Sequence, residues 1–388
     1  MNRIIVTIVF CIGWMVCCAQ TKPVAVGAEA TNEYFPLLKG KRIAVLSNHT
    51  GMVGNEHLVD LLKRKDFNVV CIFSPEHGFR GNADAGEHVS SSVDEKTGIP
   101  ILSLYDGDTG KPSVKSMSLF DVLVFDLQDV GLRFYTYYAT MVRMMDACAE
   151  SQKKMIILDR PNPNGHYVDG PILDMKYKSG VGWLPIPVVH GMTLGELAMM
   201  VNGEKWLPEG RICDISVIKC KNYTHQTMYQ LPIPPSPNLP TMKAVYMYPS
   251  TCYFEATPVS LGRGTDKPFL VYGHPNMLSY SFSFTPRSIP GAKNPPQLNK
   301  ICYGVDLSNL SDSDIWKKGV DLTYLIDAYT NLNMGDHFFR SFFEKLIGVS
   351  YVREMIKDGC SADEIKKKWS DDVEKFKKQR APYLLYQE

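Results

Sequence analysis

Short apolar runs punctuate the first half of the chain at 42–47, 68–73, 100–105, 121–127 and 154–158, each stopping abruptly at polar residues before a helix-like stretch. Runs of this length without polar alternation read as strands buried on both faces, the pattern of a mostly parallel sheet covered by helices. Between the fourth and fifth runs, Tyr138, Met141, Val142, Met145 and Ala149 recur at helical spacing and give a crossover helix its apolar stripe. Thr193-Leu194-Gly195-Glu196 is a capping box that opens a helix through Val201 and leaves His190 in the loop before it. Leu322, Leu325, Ile326 and Tyr329 again share a helix face. A second capping box, Ser361-Ala362-Asp363-Glu364, opens a lysine-rich terminal helix whose charges read as a solvated face.

Five prolines between 230 and 240 mark a loop, and beyond about 250 the rhythm changes to mixed short strands and helices. The expected architecture is α/β: a Rossmann-like, mostly parallel sheet with flanking helices over 20–248, and a smaller α+β domain over 249–388. Residues 1–19 read as an export signal, with Asn2-Arg3 before an apolar run at 4–16 and small residues at Cys17-Cys18-Ala19. That run is shorter than the roughly 18 residues a membrane-spanning helix needs. The expected location is the periplasm, with a lipid anchor on Cys17 or Cys18 as a second reading.

Composition adds exclusions. With 388 residues, 45% of them hydrophobic, the chain can bury a large core. A net charge of +1 offers no global attraction to nucleic acid or an anionic membrane, so anion recognition has to be local. Three of the ten cysteines fall in the signal; the other seven are scattered with no Cys-x-x-Cys pair, which argues against structural zinc. Cys71 and Cys148 sit in apolar surroundings, and Cys213 with Cys220 reads either as a disulfide or as two packed thiols.

In sheets of this kind ligands bind beyond the carboxyl ends of the strands. The residues there are unusually polar: Asn48-His49, Glu76-His77, Asp126 with Gln128 and Asp129, and Asp159-Arg160. In Phe73-Ser74-Pro75-Glu76-His77-Gly78-Phe79-Arg80-Gly81, a carboxyl group held between Phe73 and Phe79 has the partial desolvation that raises a pKa and suits a general acid. The plainer reading is a carboxylate that caps a turn or pairs with Arg80. The stretch from Phe125 to Tyr138 supplies two acids, an amide, Arg133 and three tyrosines including Tyr135. That mixture suits a sugar, whose hydroxyls want polar partners and whose ring face wants an aromatic plane. Its plainer reading is a helix start capped by Asp129 with core tyrosines. Asp159-Arg160 reads equally as an internal ion pair or a ligand contact, and Gly262-Arg263-Gly264-Thr265 offers amides and a guanidinium to an anion.

Dinucleotide, P-loop and nucleophile-elbow motifs are absent, and His49, His77, His88 and His190 lack metal-ligand spacing, so no cofactor or metal is expected.

Eight blocks in order resemble the NamZ exo-β-N-acetylmuramidases. They are Asn48-His49-Thr50-Gly51, Pro75-Glu76-His77-Gly78, 126–131, 133–137, Asp159-Arg160-Pro161-Asn162-Pro163, His190-Gly191-Met192-Thr193, Pro235-Ser236-Pro237-Asn238 and 262–265. The resemblance runs from about Gly40 to the C-terminal 380–386. It implies an exo-acting glycoside hydrolase that releases N-acetylmuramic acid from the non-reducing end of peptidoglycan fragments of MurNAc-GlcNAc type, with Glu76 as catalytic glutamate. The sequence departs from the family at Glu255-Ala256-Thr257-Pro258-Val259-Ser260, beside the expected cleft, and at Gly180-Val181-Gly182.

N-acetylmuramic acid carries a lactyl carboxylate, which a guanidinium fork recognises, and Arg80, Arg133, Arg160 and Arg263 are the candidates. Glycoside cleavage commonly uses two carboxyl groups. The partner of Glu76 is Asp126, Asp129 or Glu87, or else the substrate's own acetamido oxygen acts, oriented by an acid. Asn48, His77, Gln128, Tyr135, Asp159, His190 and Glu255 complete the expected sugar contacts. A non-catalytic peptidoglycan-binding protein is the alternative of a different class, and a metal-dependent hydrolase ranks last.

Overall fold

The computed structural model describes residues 22–75, 79, 92–104 and 111–388. Seven strands form one sheet: β1 (Ile43–Ser47), β2 (Val69–Ser74), β3 (Ser92–Val93), β4 (Pro100–Ser103), β5 (Val122–Asp126), β6 (Lys154–Leu158) and β7 (Ile215–Ile218), in the spatial order β3-β4-β2-β1-β5-β6-β7. All neighbours run parallel except β3, which pairs antiparallel with β4. The expected strands are all present, each within two residues of its expected ends.

Alternation explains why the strands are apolar throughout. Successive side chains point to opposite faces. Ala44 and Leu46 enter one buried cluster with Phe73, Phe125 and Ile157, while Ile43 and Val45 enter another with Ile72, Val124 and Ile156. A strand feeding two cores cannot carry a polar side. Helix α1 (Thr31–Leu38) covers the second cluster through Tyr34 and Leu38, and α2 (Leu58–Arg64) through Leu58, Val59 and Leu62. On the first face lie α3 (Tyr137–Glu150), whose stripe is buried apart from the half-buried Ala149, and α4 (Leu194–Gly203), which starts at the expected Thr193 capping box with reciprocal bonds to Glu196.

The C-terminal half follows α5 (Met242–Thr251). It holds an antiparallel sheet, β8 (Val271–His274), β9 (Phe282–Phe284) and β10 (Cys302–Asp306), in the order β8-β10-β9, together with α6 (Thr323–Leu332) and α7 (Ala362–Arg380). Helix α7 starts at its own capping box and buries Ile365, Trp369, Val373 and Phe376, one per turn. Its lysines are not all solvated: Lys366 pairs with Asp169 at 2.6 Å. Trp369, Phe338 and Leu325 belong to the same cluster as Phe125, so the smaller domain packs on one sheet face through continuous apolar surface.

The chain end is tied to the large sheet. Leu385 N–H and Tyr386 N–H donate to Glu196 Oε1, which also faces His225 Nε2 at 3.0 Å, and the Tyr386 hydroxyl donates to Asp159 Oδ2 at 2.6 Å. Cysteines 71, 148, 213, 220, 252, 302 and 360 are all free thiols, so Cys213 and Cys220 are packed rather than bridged. Among the described residues no helix is long and apolar enough to cross a membrane.

Candidate functional site

The sheet order reverses at β1: the chain steps outward through β2 and β4, then returns to build β5, β6 and β7 on the other side. Diverging connections at such a point leave a crevice at the carboxyl ends of the two central strands. Ser47 and Asp126 are register partners there, so the segments starting at Asn48 and Leu127 flank it.

Asn48 is fully buried and holds both segments. Its Oδ1 accepts from Thr50 N–H and Oγ1, its Nδ2 donates to the Tyr137 hydroxyl at 2.8 Å, and Gln128 N–H donates to Thr50 Oγ1. Gln128 Nε2 donates to the carbonyls of Asp129 and Pro161, joining the β5 exit to the β6 exit. These amides tie the walls of the crevice together.

The four sequence-nominated acids and bases after β5 and β6 differ sharply. Asp126 receives a guanidinium fork from Arg160, Nε to Oδ1 at 2.6 Å and Nη2 to Oδ2 at 3.0 Å, and both side chains are buried. Asp159 Oδ1 accepts from Gly195 N–H and Oδ2 from the Thr193 and Tyr386 hydroxyls; burial nevertheless pushes its carboxyl up to about 6. Asp129 Oδ1 accepts from Gly131 N–H at 2.6 Å, whereas Oδ2 is buried with no partner among the described residues. Burial drives the Asp129 carboxyl up to about 7, against the opposing pull of the Gly131 and Val130 amides.

Arg133 turns away from the crevice. Its Nη1 donates to the carbonyls of Pro171 and Ile186 and its Nη2 to those of Leu346 and Ile347, which end the helix Phe343–Ile347 in the smaller domain. Fully buried, it is held below the ordinary arginine value, at about 10, by desolvation. Both terminal nitrogens are spent on carbonyls and the unpartnered Nε is buried, so the structure corrects its nomination as a sugar contact: it joins the domains. Arg160 is likewise taken up by Asp126 and by the Met52 carbonyl.

His190 is also fully buried. Its Nδ1 accepts from Met192 N–H, its Nε2 has no partner among the described residues, and desolvation, then the Arg380 charge, lowers its pKa to about 3.

Beside the crevice a cavity of about 140 Å³ opens between the two domains. Phe134, Tyr135 and Tyr137 line it from the large domain; Tyr135 packs edge-on against Tyr137 at 4.8 Å and donates its hydroxyl to the Pro235 carbonyl at 2.7 Å. Glu255, Arg263 and Phe269 line it from the smaller domain. Arg263 Nη2 meets Glu255 Oε1 at 2.5 Å, and its guanidinium carbon stands 5.4 Å from the Phe269 ring centroid. Each side chain of this pair keeps about a quarter of its surface exposed, 24% for Arg263 and 25% for Glu255. Of the nominated arginines among the described residues, Arg263 alone lines the cavity.

Tyr248, Ser236 and Asn238 also line the cavity without having been nominated. Ser236 and Asn238 sat in a proline-rich block that read as a loop, and Tyr248 on helix α5 carried no distinguishing pattern. Glu76, His77, Arg80 and Glu87 lie outside the described residues; β2 ends just before them, at Ser74, on the same sheet edge as Asp126. A larger cleft, about 820 Å³, lies at the opposite edge between α1 and residues 65–68, but it brings only Asp66 as an acid and none of the nominated residues.

The chain is similar to known proteins over most of its length. Residues 43–243 match the family described as exo-beta-N-acetylmuramidase NamZ, N-terminal, and residues 246–386 match its C-terminal counterpart. The chain is 39% identical over 374 residues to the peptidoglycan beta-N-acetylmuramidase NamZ of Bacillus subtilis, covering 91% of this chain and 89% of that protein. Crystal structures of two Bacteroides fragilis proteins, each described as a DUF1343 family protein, superpose with TM-scores of 0.89 and 0.78 at 71% and 29% identity. Each covers 94% of this chain and 99% of its own.

Proposed function

Because this chain belongs to the exo-β-N-acetylmuramidase NamZ family and is a glycoside hydrolase, we propose that it works on the exported side of the cell, releasing N-acetylmuramic acid from MurNAc-GlcNAc fragments. The terminal sugar sits in the crevice between β1 and β5, roofed by the smaller domain. Glu76 is the general acid that protonates the leaving oxygen and then, as carboxylate, takes a proton from water. The single observation that carries the reading of specificity is the half-open Arg263–Glu255 pair in the cavity wall. Among the described residues Arg133 and Arg160 are taken up internally, and Arg263, paired with Glu255 yet partly exposed in the cavity wall, is the guanidinium we assign to the lactyl carboxylate.

Export rests on the signal-like residues 1–19 and is checked by the amino-terminal mass of the mature protein, where a start near Gln20 is expected and an intact Met1 excludes cleavage. Specificity is checked with chromogenic β-N-acetylmuramide and β-N-acetylglucosaminide. Release from the first with little from the second is expected, and equal rates on both defeat the lactyl reading. Glu76→Gln should lower turnover by roughly 10² to 10⁴-fold while the melting temperature holds; near-normal turnover removes Glu76 from the chemistry.

A further inference from the structure

Five described acids stand in or near the carboxyl edge, and four are occupied. Asp126 is forked by Arg160, and Asp159 takes three donors. Glu196 takes Thr193 N–H on Oε2 and faces His225 and the chain end on Oε1. Glu255 holds Arg263. Asp129 differs, because one oxygen is fixed and the other is a buried acceptor without a donor among the described residues. Such an orphan is costly, and a ligand or a water that reaches it in the working protein accounts for its being kept.

The turn beneath Asp129 is built to hold that oxygen still. Gly131 sits at φ 78°, where other residues are strained, and a Cβ there would lie 2.2 Å from Asn162 Oδ1. Asn164 Nδ2 donates to the Val130 carbonyl, and His190 N–H reaches the Gly131 carbonyl. Asp129 lies within electrostatic reach of the Tyr135 hydroxyl, and Tyr135 lines the cavity. The acceptor therefore stands behind the aromatic wall, near it through Tyr135 without itself lining the cavity.

We propose that Asp129 is the second carboxyl group of the reaction, with Oδ2 accepting the acetamido N–H of the terminal N-acetylmuramic acid. The inference rests on the hydrolase reading above and deepens it. An amide N–H is a pure donor, matching the oxygen of the ionised carboxylate, which only accepts. In the first step the acetamido oxygen forms a bond to C1 as the C1–O bond to the leaving sugar breaks, and the leaving oxygen takes the proton of the general acid. Asp129 stabilises the positive charge that develops on the acetamido nitrogen. In the second step water adds to C1, the C1–acetamido oxygen bond breaks, the acetamido group is restored, and the water's proton returns to the general acid. No redox partner is needed. The raised pKa of Asp129 without a donor is consistent with a carboxylate that awaits one.

The test uses the full chain with chromogenic β-muramides bearing acetyl, monofluoroacetyl, difluoroacetyl or trifluoroacetyl groups, fluorine making the acetamido oxygen a poorer nucleophile. For the native protein, kcat/KM should fall steeply along the series, by about 10²-fold or more at trifluoroacetyl. Asp129→Asn should lower turnover of the parent compound by about 10²-fold or more and melt no lower than the native chain, since an orphaned carboxylate is removed. A flat series in the native protein overturns participation of the acetamido group, whether or not the variant folds. Turnover of Asp129→Asn or Asp129→Ala within about threefold of native overturns the role of Asp129. Release from the acetyl compound by the native protein tests the hydrolase reading separately, so the two fail independently. A crystal structure with bound N-acetylmuramic acid gives the direct readout: the N–H at hydrogen-bond distance from Oδ2 supports the assignment, and a water there instead overturns it.

Discussion

Arg160 and Asp126 meet as a two-point fork, 2.6 and 3.0 Å, across the carboxyl ends of adjacent strands and away from solvent. The attraction holds the two exits together at the mouth of the crevice, while each charge alone would be intolerable there. Asp126→Ala should therefore lose about 3–5 kcal/mol of stability by urea unfolding, because it strands a buried guanidinium. The double replacement Asp126→Leu with Arg160→Met should lose clearly less than the single one. A double variant as unstable as Asp126→Ala would show that the pair is not the source of the loss.

Arg133 links the domains through carbonyls that only a planar fork can reach four at a time. Gly348, at φ 88°, is part of that arrangement, since a Cβ there would come within 2.5 Å of Arg133 Nη2. Arg133→Lys is expected to lower stability by about 2–4 kcal/mol while the protein that remains folded keeps its KM for the muramide. Calorimetry and steady-state kinetics on one preparation check both halves. A large KM rise with unchanged melting would return Arg133 to the substrate.

Arg263→Lys keeps the charge and removes the fork. The muramide KM should rise about 10- to 100-fold with kcat nearly held, and the preference over the glucosaminide should shrink accordingly. Kinetics on both chromogenic substrates decide it, and an unchanged preference assigns the lactyl group to another residue.

Buried titratable groups predict opposing pH effects on stability. His190 is lowered to about 3 and His166 to about 4, so each is held neutral in the fold while the unfolded chain takes up protons near 6.5. Their contribution is full above about 6.5 and is lost as pH falls toward those folded values, by up to about 1.4 kcal/mol per proton per pH unit. Asp129, raised to about 7, works the other way: its contribution is full below the unfolded value of 3.8 and is lost as pH rises through about 7. His190→Gln should remove a rise in melting temperature between about pH 3 and 6.5, and Asp129→Asn should remove a fall between about pH 4 and 7. Profiles parallel to native for both variants would refute the burial argument.

The strand runs and both capping boxes were legible because they are local. An uninterrupted apolar run has one consistent meaning in a two-faced sheet, and Thr193–Glu196 or Ser361–Glu364 closes its hydrogen bonds within four residues. The carboxyl edge was legible as well, since each run ends in polar residues. What each of those residues does was not. Asp126, Asp129 and Asp159 look alike in the chain, yet their partners come from residues 160, 131, 193, 195 and 386.

The sequence by itself determined the sheet, the helices that cover it, the edge where chemistry gathers and, through its ordered motif blocks, the resemblance to one hydrolase family. Only the tertiary structure decided which charges are neutralised internally. Arg133 and Arg160 are occupied, Arg263 keeps about a quarter of its side chain exposed, and Asp129 keeps one oxygen without a donor among the described residues. The reason is physical: apolar patterning reports burial, which is set by neighbours in the chain, whereas a charged group's role depends on which distant partner reaches it across the folded core.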